Sequence, residues 1–168
     1  ENYFDQEKLE SSLDYCNRAL EASDKLGLNT EILKITLKKL NILLTNDEIK
    51  KACHELKGIE DLINKCKQPE LVFGYKRLNL EIDFHQSEND KQKQKDILES
   101  IKGLLTDCSE EQNANLNFLL GKLYEELGSK EISFSYYNKA LSKYNEIFKT
   151  SPKWIYRHKI EIILKKLS

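Results

Sequence analysis

The sequence predicts an all-α protein built from antiparallel helix pairs, and three observations predict it. Apolar residues recur at spacings of three and four along nearly the whole chain, as in helices that bury one face. Alternating β-branched runs, which would indicate strands, are absent. Apolar and small residues also form columns when the chain is shifted by 40 residues, so one helix pair repeats along the sequence.

Short polar and glycine- or proline-containing breaks separate the helical segments. They fall at residues 27–30, 45–47, 68–69, 87–90, 106–109, 128–129 and 150–152. Two breaks carry the spacing of a capping box, Thr45 with Glu48 and Ser109 with Gln112. These breaks predict seven to eight helices.

The columns indicate which positions the repeat buries. On the first helix of each pair they are Leu40, Leu80, Leu120, Ile160 and, one turn later, Phe4, Leu44, Phe84, Tyr124, Leu164. On the second helix, with one inserted residue, they are Cys16, Leu56, Ile97, Tyr137; Ala19, Ile59, Ser100, Ala140; and Ser23, Ile63, Leu104, Tyr144. The register predicts one repeat domain, 1–168, with units 1–27, 29–67, 69–107 and 109–149 and a terminal helix 152–167.

The fourth unit resembles the tetratricopeptide-repeat family. Leu120–Gly128 reads LGKLYEELG and Tyr137–Leu141 reads YNKAL, which is similar to the family signature. Gly121 and Ala140 are small where two helices of a hairpin approach closely, and Gly128 permits the positive φ that ends a helix. The resemblance implies a right-handed α-solenoid of helix hairpins.

The second and third units depart from the signature. Glu81 replaces the small residue after Leu80, and Glu88 replaces the turn glycine. HEAT-like packing is therefore an alternative for the middle of the chain. Both ends of the chain fall inside a repeat, so we expect a fragment of a longer protein. Phe4 stands in the column that closes the first helix of a pair, so we expect a helix to end near the start of the chain.

Composition excludes several classes of protein. Lys plus Arg number 27 and Asp plus Glu 28, a balance that argues against a nucleic-acid binder. No apolar run approaches the ~18 residues of a membrane span, so we expect no membrane insertion. Four cysteines without a C-x-x-C pair predict reduced thiols buried in helices of an intracellular, cytoplasmic protein.

The sequence contains no motif that predicts catalysis, a cofactor or a metal. Cys53 and His54 are neighbours on a helix and point about 100° apart, so they do not suit one metal ion. Asp83 and His85 are turned apart for the same reason, and no nucleophile accompanies them. Phosphate loops, G-x-S-x-G and H-E-x-x-H are absent. We therefore expect a protein that is not an enzyme.

The resemblance implies a concave groove that binds a protein or an extended or helical peptide. Its candidate residues are Lys38, Ile42, Tyr75, Leu78, Ile82, His85, Asn115, Phe118, Lys122, Glu125 and His158. Apolar members would hold anchor side chains, and Asn115 would bind a peptide backbone. The alternative for Leu78 and Ile82 is packing against the next hairpin.

Two other functions stay open. The first, by family analogy, is the peptide-sensing portion of a larger regulator. The second is a structural self-association module. The second expectation depends on the terminal helix 152–167, where apolar residues that include Tyr156, Ile163 and Leu164 spread around most of the circumference. A self-association module of this kind would form a homo-oligomer through that helix.

Overall fold

The computed structural model describes the backbone of residues 2–152 and 154–168, and the side chains of residues 10–152 and 156–168. Every regular element in these ranges is an α-helix, which confirms the all-helical prediction. The helices are α1 (Asn2–Lys25), α2 (Asn29–Thr45), α3 (Ile49–Gly58), α4 (Glu60–Asn64), α5 (Pro69–Gln86), α6 (Lys91–Gly103), α7 (Glu110–Glu126), α8 (Lys130–Thr150) and α9 (Trp154–Leu167). Each of the seven predicted breaks overlaps a break between these helices, with boundaries that differ by up to three residues.

The described part of the chain has nine helices instead of seven to eight, because one predicted helix is interrupted at Ile59. Ile59 has φ −108° and ψ 5°, and its N–H donates to the carbonyl of Leu56 at 3.3 Å, three residues back. The interruption follows Gly58, a residue with low helix propensity. Leu56, Ile59 and Ile63 nevertheless all remain in the core, so the interruption divides the helix and leaves its buried face intact.

The first helix differs from the expectation at the start of the chain. α1 runs without a break from Asn2 to Lys25, so Phe4 lies inside this helix and not at the end of a preceding one. The prediction from the Phe4 column is therefore wrong. No glycine or proline stands between residues 2 and 25, so nothing in the local sequence interrupts the helix.

The two predicted capping boxes have different outcomes. At the start of α7 the Ser109 N–H donates to Oε1 of Gln112 at 2.8 Å, and the Gln112 N–H donates to Oγ of Ser109 at 3.3 Å. This capping box is confirmed. Thr45 instead ends α2, its hydroxyl donates to the carbonyl of Asn41 at 2.8 Å, and Glu48 stands at the start of α3 without a side-chain cap.

The capping box yields a stability prediction with an internal control. Ser109→Ala removes a side chain that accepts a backbone N–H, so we expect a loss of about 1 kcal/mol in the free energy of unfolding. Ser129 stands at the same position before α8 but makes no side-chain cap hydrogen bond. Ser129→Ala should change the free energy by well under half as much. Equal losses in urea denaturation of the two variants would contradict the assignment.

Contacts divide the chain into two compact units, Glu1–Lys91 and Gln92–Ser168. In the first unit, α2, α3, α4 and α5 enclose a core of aliphatic side chains. Its buried members are Leu33, Leu37, Leu40, Leu43, Leu44, Ala52, Leu56, Ile59, Ile63, Leu78 and Ile82. Five of the predicted columns contribute to this core. The predicted single array across both units stays a prediction.

One buried ion pair distinguishes α5. Glu81, which stands where the family signature has a small residue, is 5% exposed. Arg77, one turn earlier, donates from Nη1 to its carboxylate at 3.0 Å. The other guanidinium nitrogen, Nη2, donates to Oδ1 of Asn41 on α2 at 2.5 Å. The glutamate therefore belongs to a hydrogen-bonded connection between α2 and α5.

The second unit is organised around the close approach of α7 and α8. Gly121 lies against the ring of Tyr137, which is 1% exposed, and Ala140 is fully buried one turn further along α8. The hydroxyl of Ser133 donates to the carbonyl of Gly121 at 2.8 Å. Gly128 has φ +74° at the turn between the two helices. The predicted roles of these small residues are confirmed.

The last helix buries most of its described apolar side chains within the second unit. Tyr156 is 4% exposed and Ile163 0%, and Ile160 and Leu167 pack against the same core. Leu164, at 51%, is the exposed large aliphatic side chain of this helix among residues 156–168. The broad apolar surface on which the self-association expectation depends is therefore largely used inside the chain.

The four cysteines are free and half-buried. Cys66 and Cys108 lie in loops, so the expectation of helix-buried thiols is wrong for these two.

Among the helices of the described residues, none has the length and apolar character that crossing a membrane requires.

Candidate functional site

The predicted groove residues fall in both units. The first unit contains Lys38, Ile42, Tyr75, Leu78, Ile82 and His85. The second contains Asn115, Phe118, Lys122, Glu125 and His158.

In the first unit, two of the predicted anchor residues are buried. Leu78 is 0% exposed and Ile82 is 2% exposed, and both belong to the core. They face inward because α5 packs against α2 and α3. These two side chains are therefore not available to a peptide, as the alternative of packing against a neighbouring hairpin predicted.

The other members of this set differ in exposure. Lys38 is exposed on α2, and Ile42 is half-buried. Tyr75 is half-buried against the core, and its pKa is raised by burial and by the nearby carboxylates of Glu60 and Asp83. His85 is also half-buried, with its ring edge-on to the ring of Phe84 at 5.9 Å.

In the second unit, α7 presents a more coherent set. Asn115, Phe118, Lys122 and Glu125 are spaced three, four and three residues apart, so they share one face of the helix. Side chains from α8 and α9 reach the same face. We call Asn115, Phe118 and Lys159 the Asn115 surface.

Asn115 is held by two hydrogen bonds to its oxygen. The hydroxyl of Tyr144 donates to Oδ1 of Asn115 at 2.8 Å, and the ammonium of Lys159 donates to the same oxygen. Lys159 also donates to the Tyr144 hydroxyl at 3.1 Å. Because an ammonium group can only donate, the oxygen of the Asn115 amide must face Lys159, and the orientation of the amide is fixed.

The fixed amide leaves its donors available. Oδ1 accepts both bonds, and the NH₂ group of Asn115 donates to no group in the part of the chain that the structure describes. No buried side-chain nitrogen or oxygen among the described residues lacks a partner. The NH₂ group of Asn115 is therefore accessible to solvent, with two N–H donors oriented by the rest of the cluster.

An aromatic side chain and a cation lie beside these donors. Phe118 is half-buried on α7, and its ring centroid lies 5.9 Å from that of Tyr137. Nζ of Lys159 lies 5.9 Å from the centroid of Phe118 and 5.3 Å from that of Tyr144, within cation–π range. The surface thus combines oriented N–H donors, an apolar ring and a positive charge.

Glu125, at the end of the same helical face, is occupied by bonds within the chain. The Tyr137 hydroxyl donates to its Oε2 at 2.7 Å, and Nζ of Lys166 lies 2.9 Å from its Oε1. Burial opposes ionisation of Glu125, but the hydrogen bonds from Lys166 and Tyr137 outweigh it and lower its pKa. Burial, and then the bond to Glu125, raises the pKa of Tyr137. We infer a structural role for this carboxylate.

Sequence reasoning missed two residues of this arrangement. Tyr144 was assigned only to a core column, and Lys159 was not among the candidates although His158 was. His158 is exposed on α9. Adjacent helical positions differ by about 100° in direction, so a register that is wrong by one residue selects the wrong side chain.

Side chains suited to metal binding do not cluster in the described residues, where no group of three His, Cys, Asp or Glu comes together.

Comparison with known proteins finds a likeness of fold among solved structures. No family model matches the chain, and a search of curated proteins gave no match. The structure is similar to the crystal structure of BtubC (BKLC) from P. vanneervenii, with a TM-score of 0.52 and 14% sequence identity. The match covers 95% of this chain and 72% of BtubC. At that identity the likeness concerns the fold alone.

Proposed function

We propose that the chain is a tetratricopeptide-like helical-repeat domain, a right-handed α-solenoid, that binds a segment of another polypeptide. The Asn115 surface is the site of binding. The observation that carries the proposal is the amide of Asn115, fixed by Lys159 and Tyr144 with its two donors accessible. A peptide in extended or helical form presents backbone carbonyls that such donors bind, and Phe118 offers an apolar contact beside them.

The repeat assignment is supported by two features. Buried positions recur at the 40-residue register, as at Leu44 and Phe84. Gly121 and Tyr137 fit together between paired helices as the family signature implies. A cytoplasmic location, expected from cysteine usage, belongs to the same proposal.

The test begins with selection of binding peptides from a library of random peptides displayed on phage. Enriched peptides are labelled, and their affinities are measured by fluorescence anisotropy. Asn115→Asp removes the two N–H donors but retains an oxygen that accepts from Tyr144 and Lys159. Because an unmade hydrogen bond at an interface costs about 1–3 kcal/mol, we expect the variant to bind at least about fivefold more weakly.

Asn145→Asp provides the matched control, because it makes the same chemical change at an exposed position of α8. Its affinity for the peptides should equal that of the wild type. The proposed function is wrong if no peptide is enriched, or if the enriched peptides bind Asn115→Asp as tightly as they bind the wild type.

Self-association through α9 is the second candidate function, and its test requires a change at an exposed side chain of that helix. Ile163 is fully buried, so its replacement by glutamate would disrupt the fold whether or not the protein associates. Leu164 is the residue of α9 to change, since its side chain is half exposed. Light scattering that shows a monomeric wild type at high concentration would exclude this candidate.

A further inference from the structure

A cavity in the first unit lies between α1, α2 and α3, and none of the residues that line it belongs to the Asn115 surface. Its volume is about 420 Å³, within the range of roughly 300–1,000 Å³ that small-molecule sites occupy. The residues that line it are Leu13, Asn17, Lys39, Leu43, Lys50, Lys51, His54 and Glu55.

The interior of the cavity is apolar and electrically balanced. Leu13 of α1 is half-buried, and Leu43 of α2 is 3% exposed. The Lys39 side chain is 13% exposed, and its ammonium lies 2.5 Å from a carboxylate oxygen of Glu55. Because this lysine is already paired, the interior offers hydrocarbon surface and no unpaired positive charge to a ligand.

The mouth of the cavity is positively charged. Lys50, Lys51 and His54 lie on α3, and Lys50 and His54, four residues apart, share one face. Lys51 pairs with Glu48 one turn earlier. Lys50 is exposed and has no carboxylate partner among the residues whose side chains are described. Positive charge is therefore in excess where the cavity meets solvent.

We propose that this cavity binds a small organic anion, one that carries a single carboxylate or phosphate group on an apolar body. The apolar body lies against Leu13 and Leu43 and removes their surface from water. The anionic group stays at the mouth, where Lys50, the lysine without a carboxylate partner among the described side chains, meets it without complete loss of hydration. A second charge in the interior is disfavoured, because the Lys39–Glu55 pair leaves it no partner.

Two fluorescent probes that differ by one charged group test the proposal. The first is 8-anilinonaphthalene-1-sulfonate, and the second is the neutral N-phenyl-1-naphthylamine, which has the same rings without the sulfonate. We expect the anionic probe to bind one site per chain and up to about fivefold more tightly than the neutral one, since an exposed cation such as Lys50 contributes up to about 1 kcal/mol. Equal affinity of the two probes would overturn the proposal.

A matched pair of double variants locates the site. Lys50→Gln with Lys51→Gln removes both cations and releases Glu48, so the anionic probe should bind about tenfold more weakly. Lys34→Gln with Lys38→Gln makes the same charge change outside the cavity. In that pair, Lys34 is bound to Glu31 one turn earlier and Lys38 is exposed. The control should bind the probe as the wild type does.

Competition defines the ligand's head group. Hexanoate and hexyl phosphate are each added to the complex of the wild type with the anionic probe, with salt held constant. Displacement by either one supports the proposal and indicates whether carboxylate or phosphate is preferred. The proposal is overturned if neither compound displaces the probe, or if the Lys50/Lys51 variant, shown by circular dichroism to be folded, binds the probe as tightly as the wild type.

Discussion

Gly121→Ala should destabilise the protein by about 2 kcal/mol, although alanine is the better helix former by about 1 kcal/mol. A Cβ atom at position 121 would lie 2.6 Å from Cδ1 and 2.7 Å from Cε1 of Tyr137, well inside van der Waals contact. The ring has little freedom to move, because it is 1% exposed and its hydroxyl is bonded to Glu125. The two helices must therefore separate, and the measurement is the free energy of unfolding in urea.

Gly103→Ala is the control for this prediction. Gly103 ends α6 in the same unit, and a Cβ added there meets nothing within 4 Å. Its replacement should leave stability unchanged or raise it by about 0.4–1 kcal/mol. A second check is the variant that combines Gly121→Ala with Tyr137→Ala, which should lose less than the sum of the two single changes. A stabilised Gly121→Ala protein would contradict the close approach of α7 and α8.

Arg77→Met should cost about 3 kcal/mol, because it removes a partner of a buried carboxylate. The side chains of Arg77 and Glu81 are 15% and 7% exposed, and the guanidinium also bonds Asn41. Methionine preserves much of the apolar volume of arginine, so the loss reports on charge and hydrogen bonding more than on packing. Chemical denaturation of the variant at neutral pH measures it.

Arg157→Met supplies the comparison. Arg157 and Glu161 also form an ion pair four residues apart on a helix, at 3.1 Å, but their side chains are 73% and 53% exposed. Exposed pairs of this spacing contribute about 0.3–0.5 kcal/mol. Similar losses for Arg77→Met and Arg157→Met would show that burial does not strengthen the dependence of Glu81 on its partner.

The helices and much of the core were predictable because burial leaves a regular trace in a sequence. An amphipathic helix must place apolar residues at spacings of three and four, and Leu40, Leu56 and Tyr137 follow this pattern and are buried. The pattern does not identify every member of a column, since Ser100 and Leu164 occupy column positions and are exposed.

Local details were less predictable because alternative hydrogen bonds compete within one turn. Thr45 has capping-box spacing, yet it bonds backward to Asn41, and the turn that follows is made by Asp47 with φ +59°. Spacing alone does not distinguish the last residue of a helix from the cap of the next. The interruption at Ile59 likewise depends on local backbone geometry that helical periodicity does not record.

The candidate site was predictable on α7 and not on α9. Asn115 and Phe118 lie on the predicted face, and no sequence pattern shows that Tyr144 and Lys159 reach them from other helices. In the first unit, the sequence also predicts that Leu78 lines the groove, but this side chain is buried in the core. Residues that line a groove and residues that pack against the next helix differ by a small rotation, which only the tertiary structure determines.

The most direct test of the proposed function is the side-chain amide signal of Asn115 in the ¹H–¹⁵N spectrum during titration with a selected peptide. Bonds from its N–H donors to peptide carbonyls should shift both proton resonances of that amide, and the backbone amide of Phe118 should shift with them. If the peptide binds and the Asn115 side-chain signal does not move, the peptide binds elsewhere and the assignment of the Asn115 surface is wrong.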